Sequence, residues 1–191
     1  MKYYPLLLDL KGKKCIVVGG GRVAQRKVNS LLKAGALVRI ISPNLTQNLK
    51  KLAGQNKIYW ITSHYRKRYI QNSFLVIAAV SDKKINSKIS RDTQKSKILV
   101  NVVDSPKESS FIVPSNISRG DLIISISTSG KVPALSKRIR KDLTKLLVPR
   151  YSKFLKTLES IRKDLKIRCS EPRLRKKILN ILVDGSTGSP S

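Results

Sequence analysis

A turn of three consecutive glycines, Gly19-Gly20-Gly21, constrains the fold of this chain more than any other feature. It follows the apolar, β-branched run 14–18 and opens a stretch with helical periodicity. With Ala24 the turn fits the spacing G-x-G-x-x-A, in which Gly19 makes the tight turn, Gly21 allows a close backbone approach to a pyrophosphate, and Ala24 packs helix on strand. We therefore predict a dinucleotide-binding βαβ unit with the phosphates at the helix N-terminus.

The first half of the chain alternates short apolar runs with helix-compatible segments, which is typical of an α/β fold. The helix after the glycine turn runs from about Val23 to Ala34, and Gly35 ends it. Because the strand runs are continuously apolar, we expect a Rossmann-type parallel sheet covered on both faces. The predicted strands are 14–18, 37–41, 57–61, 74–79 and 98–102.

The pattern changes after Asp104, where a second, small α/β module is predicted. Strands are expected at about 111–113 and 121–127, and a basic helix from Pro133 to Leu147, which Pro149 should break. Further helices are expected at about 150–167 and 171–183. The predicted organisation is a NAD(P)-binding Rossmann domain over 1–113, the second module over 114–147, a basic helical segment over 148–183 and a disordered tail over 184–191.

The balance of charge is strongly basic, with 40 Lys and Arg against 11 Asp and Glu, a net charge of +29 and a pI near 10.6. Such a field attracts acidic partners, either nucleic acid or a small molecule with many carboxylates. The excess is spread along the chain, since residues 136–180 carry 16 bases and 4 acids and residues 1–135 carry 24 and 6. Compositional bias toward lysine would produce the same excess without a functional role.

The cysteine and histidine contents limit the possible chemistry. Cys15 lies inside a predicted buried strand and Cys169 in a charged helical segment, so neither a disulfide framework nor a metal-binding cluster is expected. His64 is the only histidine, which excludes histidine triads and multi-histidine metal sites. We interpret it as a surface residue after the third strand, and no metal site is predicted.

The apolar runs, such as 74–80 and 146–148, are too short to span a bilayer. Asp9 interrupts the N-terminal apolar stretch and no small-residue cleavage site follows, so no signal peptide is expected. The sequence therefore predicts a cytoplasmic protein without a membrane segment.

The end of the second strand bears on the choice of cofactor. An Asp or Glu there would hold the ribose 2′-OH of NAD, but the chain reads Ile41-Ser42-Pro43-Asn44. Ser42 or Asn44 could hydrogen-bond the ribose, yet neither repels a 2′-phosphate, so NADP remains open. The candidate cofactor-binding residues are Gly19, Gly21, Arg22, Val23, Ala24, Ser42, Pro43, Asn44 and Ala79.

Several ordered motifs identify a family resemblance. The motifs are Tyr4-Pro5-Leu6, Leu10-Lys11-Gly12-Lys13, the glycine turn, 101–107 (NVVDSPK), 110–115 (SFIVPS) and 127–135 (STSGKVPAL). With these motifs the chain resembles precorrin-2 dehydrogenase, the module that also forms the N-terminal half of bifunctional siroheme synthases, over about residues 3–147. The methyltransferase half of those enzymes is not expected in this chain.

The resemblance implies an NAD-dependent oxidation of precorrin-2 to sirohydrochlorin, the precursor of siroheme. It implies a homodimer, with 114–147 as a dimerisation and substrate module. Precorrin-2 is an acidic tetrapyrrole with eight carboxylates, which would give the basic excess a partner. Some relatives also insert ferrous iron, but isolated His64 and buried Cys15 argue against chelatase activity here.

Asp104 is the candidate acid/base residue, because it lies just beyond the fifth strand, at the edge where ligands of open α/β sheets bind, and it matches the family's aspartate. Asp-Ser-Pro is also a turn signal, so a structural role stays open. The candidate substrate-binding residues are Asn101, Lys107, Ser127, Thr128, Ser129 and Gly130, with Lys131, Lys137 and Arg138 as further carboxylate partners. Thr128 or Ser129 could instead cap the following helix.

Two other functions compete with this interpretation. A dinucleotide-sensing regulatory module would bind the cofactor without catalysis, although the motifs after Asp104 argue against it. A nucleic-acid binder would use the basic helices of 136–180. We rank nucleic acid last, because only Tyr151 and Phe154 could stack on bases there.

Overall fold

The computed structural model describes residues 3–186, except the side chains of 147–153, 155, 156 and 186. Its first unit holds one parallel sheet in the order β3-β2-β1-β4-β5, with helices in the crossovers, and this confirms the predicted Rossmann-type α/β class. The strands are β1 (Lys14–Val18), β2 (Leu37–Ile41), β3 (Tyr59–Ile61), β4 (Leu75–Ala78) and β5 (Leu99–Val102), and the helices are α1 (Arg22–Lys33), α2 (Gln47–Gly54) and α3 (Lys83–Lys95).

Both faces of this sheet are buried, as its apolar strands require. Successive side chains of a strand point to opposite faces, so Cys15 and Val17 join one core cluster with Val28 of α1. Ile16 and Val18 join the other cluster, which includes Ile89 of α3. The strand order reverses between β1 and β4, whose carboxyl ends therefore flank the crevice where ligands of such sheets bind.

The chain divides into two compact units, 1–113 and 114–191. The second unit begins with an antiparallel hairpin of β6 (Ser115–Arg119) and β7 (Leu122–Ile126), whose tight turn places Gly120 at φ +55°. Two helices follow, α4 (Pro133–Arg168) and α5 (Pro172–Ser186), and α4 contacts both strands and α5. This agrees with the predicted small α/β module followed by helices.

The predicted strand at 111–113 is wrong, and the first strand of the hairpin lies at 115–119 instead. Serine side chains explain the difference. The amides of Val102 and Val100 in edge strand β5 donate to the hydroxyls of Ser109 and Ser110, at 2.9 and 2.8 Å. Because side chains satisfy these edge amides, the chain leaves the sheet without adding a strand.

The predicted helix break at Pro149 is also wrong, since α4 continues to Arg168. A proline inside a helix removes one hydrogen bond and crowds the preceding turn, but it does not have to end the helix. Helix α4 contacts α5, and residues of its second half line one cleft together with residues of α5. Tertiary packing supplies most of a helix's stability, so it can outweigh this local cost.

Helix α5 ends at Ser186, so residues 184–186 are helical and not part of a disordered tail as predicted. Adding residues to an existing helix costs far less than starting one, which explains this extension past Gly185. The prediction for residues 187–191 lies outside the described residues. Among residues 3–186, no helix combines the length and apolar character needed to cross a membrane.

Candidate cofactor and active site

Gly19 ends β1 in a conformation that only glycine adopts readily, with φ +117°. Its amide donates to the carbonyl oxygen of Ile41 at 2.9 Å. A Cβ at Gly19 would lie 2.3 Å from the carbonyl oxygen of Ala79, the residue after β4. Gly19 therefore lets the loops after β1 and β4 approach each other at the crevice, which places Ala79 directly beside the glycine turn.

Gly20 is required for a reason that the sequence motif does not contain, since the motif treats this position as variable. A Cβ there would lie 1.8 Å from the carbonyl oxygen of Asn44 and 2.7 Å from Oγ of Ser42. The loop after β2 thus packs on the bare backbone of Gly20. The only available signal in the sequence was a glycine at the variable middle position of the run Gly19-Gly20-Gly21.

Gly21 is the residue before α1, in extended backbone at φ −83° and ψ −173°, and no side chain caps the helix. A Cβ at Gly21 would meet no described atom within 4 Å. Arg22 is exposed, Val23 half-buried and Ala24 buried. The open space above Gly21 and the uncapped first turn of α1 fit the pyrophosphate of a dinucleotide, which free helical N–H groups bind well.

The loop after β2 separates the two candidate ribose ligands. Ser42 is 8% exposed, and its hydroxyl donates to the carbonyl oxygen of Asn44 at 2.7 Å. The indole Nε1 of Trp60 donates to the carbonyl oxygen of Ser42 at 2.9 Å. Pro43 and Asn44 are exposed. The side chain of Asn44 is therefore accessible for a ribose, whereas the Ser42 hydroxyl already bonds within the loop.

Thr46 and Gln25 hold this loop against the glycine turn, and sequence reasoning missed both. The Thr46 amide donates to the carbonyl oxygen of Gly20 at 3.1 Å, and its hydroxyl donates to Oε1 of Gln25 in α1 at 2.6 Å. The same hydroxyl caps α2 by accepting from the Leu49 amide. A Thr three residues before an apolar helical position is a recognisable cap signal, but its contact with α1 is tertiary.

Asn86, near the start of α3, supports the loop after β4. Its Nδ2 donates to the carbonyl oxygen of Val80 at 3.0 Å. Asn86 is 7% exposed, and its Oδ1 has no hydrogen-bond partner within the part of the chain that the structure describes. This carboxamide oxygen is thus a buried acceptor beside the β4 loop.

Asp104 is exposed and lies two residues beyond β5, with a left-handed backbone at φ +60°. Asp adopts this conformation more readily than most residues. Two backbone hydrogen bonds fix its neighbours, from the Val103 amide to the Ala78 carbonyl at 2.9 Å and from the Ser105 amide to the Val102 carbonyl at 3.1 Å. The structure thus places Asp104 at the carboxyl edge of the sheet, where the sequence predicted it.

Lys27 in α1 is a further charged residue of this region. It lies between Ala24, Val28 and Leu31, the buried positions of the helix. Burial lowers the pKa of the Lys27 ammonium and nearby Arg26 adds to this, whereas the Asp104 carboxylate acts in the opposite direction. Asp104 therefore influences the charge of Lys27, although the two residues lie far apart in the sequence.

Asn101 and Lys107 differ in accessibility. Asn101 is 8% exposed, and its Nδ2 donates to the carbonyl oxygen of Phe111 at 3.1 Å, which ties the segment after β5 to that strand. Lys107 is exposed in a short 3-10 turn at Pro106–Glu108. Lys107 is free to meet a ligand, while Asn101 already has a structural bond.

In the second unit, residues 127–130 form a turn before α4. Ser129 and Gly130 have positive φ values of 55° and 80°. The hydroxyls of Ser127 and Thr128 accept from the amides of Ser129 and Val132, at 3.0 and 3.1 Å. Thr128 thus supports the start of α4, but the N-cap residue is Val132, which gives no side-chain cap.

Three basic candidates follow this turn. Lys131 and Lys137 are exposed. Arg138 is also exposed, and its Nε lies 3.0 Å from Oδ2 of Asp142 one turn along α4. An exposed pair of this kind is weak, so it would not prevent Arg138 from meeting a carboxylate.

One histidine and two cysteines remain to be placed. His64 is exposed, and Cys15 and Cys169 are both free thiols. Burial in β1 raises the pKa of the Cys15 thiol to about 11. Within residues 3–186, no group of three His, Cys, Asp or Glu side chains comes together in a way that could hold a metal ion.

A cleft of about 640 Å³ lies in the second unit, between α4, α5 and the hairpin turn. Basic side chains of both helices line it over a mainly apolar floor, and they are Arg162, Lys166, Arg175 and Lys176. None of the predicted site residues is among the residues that line it. The cleft and the glycine-turn crevice are therefore separate features of the chain.

The parallel sheet, its reversed strand order and the glycine turn define a dinucleotide-binding protein of the Rossmann type. A family model described as "Putative NAD(P)-binding" matches residues 6–115, and a second, "Sirohaem biosynthesis protein central", matches residues 119–146. The first match covers more than half of the chain, which therefore belongs to this NAD(P)-binding family.

The relatives extend the match into the second unit. The chain is 41% identical over 147 residues to siroheme synthase 1 of Serratia proteamaculans and 37% identical over 176 residues to the siroheme synthase of Photorhabdus laumondii. These alignments cover 77% and 92% of the chain, but only 31% and 37% of the relatives. The chain thus spans about a third of their length.

A solved structure, "SirC, precorrin-2 dehydrogenase", matches with a TM-score of 0.83 and 26% sequence identity, over 95% of this chain and 89% of that one. This match includes both units. The resemblance to the precorrin-2 dehydrogenase family that the sequence motifs indicated is thereby confirmed.

Proposed function

We propose that this protein oxidises precorrin-2 to sirohydrochlorin in siroheme biosynthesis, with a nicotinamide dinucleotide as the hydride acceptor. The observation that carries the proposal is the match to a precorrin-2 dehydrogenase over 95% of the chain. The siroheme synthase relatives support the same pathway. A dinucleotide cofactor agrees with the NAD(P)-binding family and with the open space beside Gly21 in the glycine turn.

The chain's own residues would bind and orient the two reactants. Gly21 and the first turn of α1 would hold the pyrophosphate, Asn44 the ribose, and Gly19 with Ala79 would shape the crevice. When bound, the dinucleotide supplies the hydride acceptor. Oxidation removes one hydride and one proton from the macrocycle, and Asp104 is our candidate for accepting the proton. NAD is preferred over NADP in this proposal on the family resemblance alone.

The substrate carries eight carboxylates, and the chain offers hydroxyl, amide and basic groups for them. We propose that Ser127, Thr128, Ser129 and Gly130 bind carboxylates through their backbone and hydroxyl donors, with Lys107 and Asn101 as further contacts. Lys131, Lys137 and Arg138 would add charge attraction. The net charge of +29 supports association with such a polyanion.

We also propose a homodimer formed through the module at 114–147, in a cytoplasmic protein. The hairpin of this module packs on α4, but the module leaves apolar side chains in solvent. Ile123 of β7 and Val132 and Leu135 at the start of α4 are each 47–48% exposed. Pairing of two chains would cover these side chains. Light scattering coupled to size exclusion would test it, with Ile123→Lys expected to give a monomer.

A turnover assay tests the enzymatic proposal directly. Purified protein with precorrin-2 and NAD should produce NADH and the sirohydrochlorin spectrum, with NADP in a parallel reaction. A second pair of reactions would contain sirohydrochlorin and ferrous iron, where we expect weak or no iron insertion. Absence of turnover with both cofactors would reject the proposed function. Cofactor binding without turnover would instead favour a sensing module.

A further inference from the structure

Serine hydroxyls tie the segment between β5 and the second unit to strand β5. Ser109 and Ser110 lie beside edge strand β5, and each hydroxyl accepts a hydrogen bond from a strand amide. Each also donates to a carbonyl oxygen of the same strand, Ser109 to Val102 and Ser110 to Val100, both at 3.2 Å. The two serines thus make equivalent bonds, two residues apart along the strand.

Ser109 makes one additional contact that Ser110 lacks. Its hydroxyl lies 2.9 Å from the carbonyl oxygen of Ser105, to which it can donate in place of Val102. The hydroxyl therefore bridges Val102 and Ser105, the residues on either side of the Val103-Asp104 turn. Asp104, within this bridge, has the left-handed backbone.

The other side of this segment is fixed to α3. The Ser87 hydroxyl donates to Oε1 of Glu108, and the Ser90 hydroxyl donates to the Glu108 carbonyl oxygen at 2.6 Å. The bond from Ser87, with a second from Ser105, lowers the pKa of the Glu108 carboxyl group. Glu108 precedes Ser109, so the bridging hydroxyl projects from an anchored backbone and not from a free loop.

We propose that Ser109 is a positioning residue that keeps Asp104 in its left-handed conformation and so fixes the direction of its carboxyl group. A left-handed backbone costs free energy for any residue other than glycine, less for Asp than for most, and surrounding contacts stabilise it. Here the Ser105-to-Val102 backbone bond and the Ser109 bridge close the turn from two sides. This inference rests on the proposed function, because it assigns Ser109 a role through Asp104.

The chain offers a matched control for the test. Ser109→Ala removes the bridge around Asp104, and Ser110→Ala removes equivalent bonds to β5 without touching that turn. We expect both variants to lose similar thermal stability. Only Ser109→Ala should lower kcat for precorrin-2 oxidation, by about 10- to 100-fold, because small misplacements of a reacting group have effects of that size. KM for the dinucleotide should not change, and Ser109→Thr, which keeps the hydroxyl, should restore kcat.

A double-mutant cycle separates positioning from general stability. If Ser109 acts through Asp104, adding Ser109→Ala to Asp104→Asn should lower kcat no further, whereas independent effects would multiply. Multiplying effects, an unchanged kcat in Ser109→Ala, or an equal kcat loss in Ser110→Ala would each overturn the proposal.

A structural measurement keeps this inference separate from the enzymatic one. The Cα and Cβ chemical shifts of Asp104 report its left-handed backbone, and they should move toward ordinary values in Ser109→Ala but not in Ser110→Ala. Shifts that stay at their wild-type values in Ser109→Ala would overturn the positioning role. A wild-type protein that fails to oxidise precorrin-2 would reject the proposed function instead, and this NMR comparison would still decide the role of Ser109.

Discussion

The carbonyl oxygen of Asn44 occupies the space into which a side chain at Gly20 would project, 1.8 Å from the position of its Cβ. This contact joins the loop after β2 to the glycine turn. Gly20 therefore serves the packing of the fold, while Gly21, whose Cβ would be in open space, is proposed to face the ligand. The two neighbouring glycines should respond differently to the same substitution.

Gly20→Ala should destabilise the protein by about 3 kcal/mol, because overpacking against backbone forces the loop to move. Gly21→Ala should leave the melting temperature nearly unchanged and weaken NADH binding, since its methyl group would enter the space proposed for the pyrophosphate. Thermal unfolding by circular dichroism and NADH fluorescence titration measure the two effects. A Gly20→Ala protein as stable as Gly21→Ala would show that the loop does not rest on Gly20.

Asp104→Asn should reduce turnover of precorrin-2 by about 100-fold or more, the usual contribution of a general acid or base. The change keeps the size of the side chain but removes the carboxylate. Affinity for NADH should stay within a factor of about two, because the glycine turn and Asn44, not Asp104, are proposed to hold the dinucleotide. Steady-state kinetics with precorrin-2 measures the loss of turnover, and a parallel titration with NADH measures the affinity for the cofactor. Full activity of the variant would assign the proton transfer to another group.

The same substitution should lower the pKa of Lys27 further below its ordinary value. Burial and the charge of Arg26 lower the pKa of Lys27, whereas the Asp104 carboxylate raises it. Without this carboxylate, only the two lowering influences remain. NMR titration of ¹³C-methylated lysines would follow the shift, with the Lys27 signal assigned by its loss in Lys27→Arg. An unchanged or raised pKa would mean that the two charges do not interact in solution.

Asn44→Asp should weaken NADP binding by about tenfold relative to NAD, through repulsion between its carboxylate and the 2′-phosphate. Asn44 is the suitable position because it is exposed, whereas an acid at Ser42 would be buried. Dissociation constants of the two reduced cofactors, measured in parallel, give the ratio. An unaltered ratio would place the ribose away from Asn44.

Cys15 should resist thiol reagents at pH 8 in the folded protein, while Cys169 reacts. Burial raises the pKa of the Cys15 thiol to about 11 from an ordinary value near 9, so the folded state keeps the neutral thiol. Its contribution to stability is complete below pH 9 and is lost as the pH rises through about 11. Reaction with Ellman's reagent before and after unfolding measures accessibility, and Cys15→Ala controls for the alkaline loss. Rapid labelling of both thiols in the folded state would contradict the prediction.

Local patterns in the sequence were sufficient for the architecture of the first unit. The central strands β1, β4 and β5 are apolar runs that are almost wholly buried, and β2 and β3 alternate buried or half-buried with exposed positions, so hydrophobic patterning located all five strands. The glycine spacing located the start of α1, because the backbone turn that needs these glycines involves only a few consecutive residues. The placement of Asp104 at the carboxyl edge of the sheet followed from its position just after the fifth predicted strand.

Contacts between distant segments were beyond this reasoning. The sequence cannot show that Asn44 lies against Gly20, that Lys27 interacts with Asp104, or that the Ser109 hydroxyl bridges Val102 and Ser105. Nor can the sequence show that α4 continues past Pro149, since the packing of the helix outweighs the local cost of a proline. Periodicity and turn chemistry are local properties that the sequence determines by itself. Steric fit, charge coupling and side-chain bridging depend on which segments meet, and only the tertiary structure decided them.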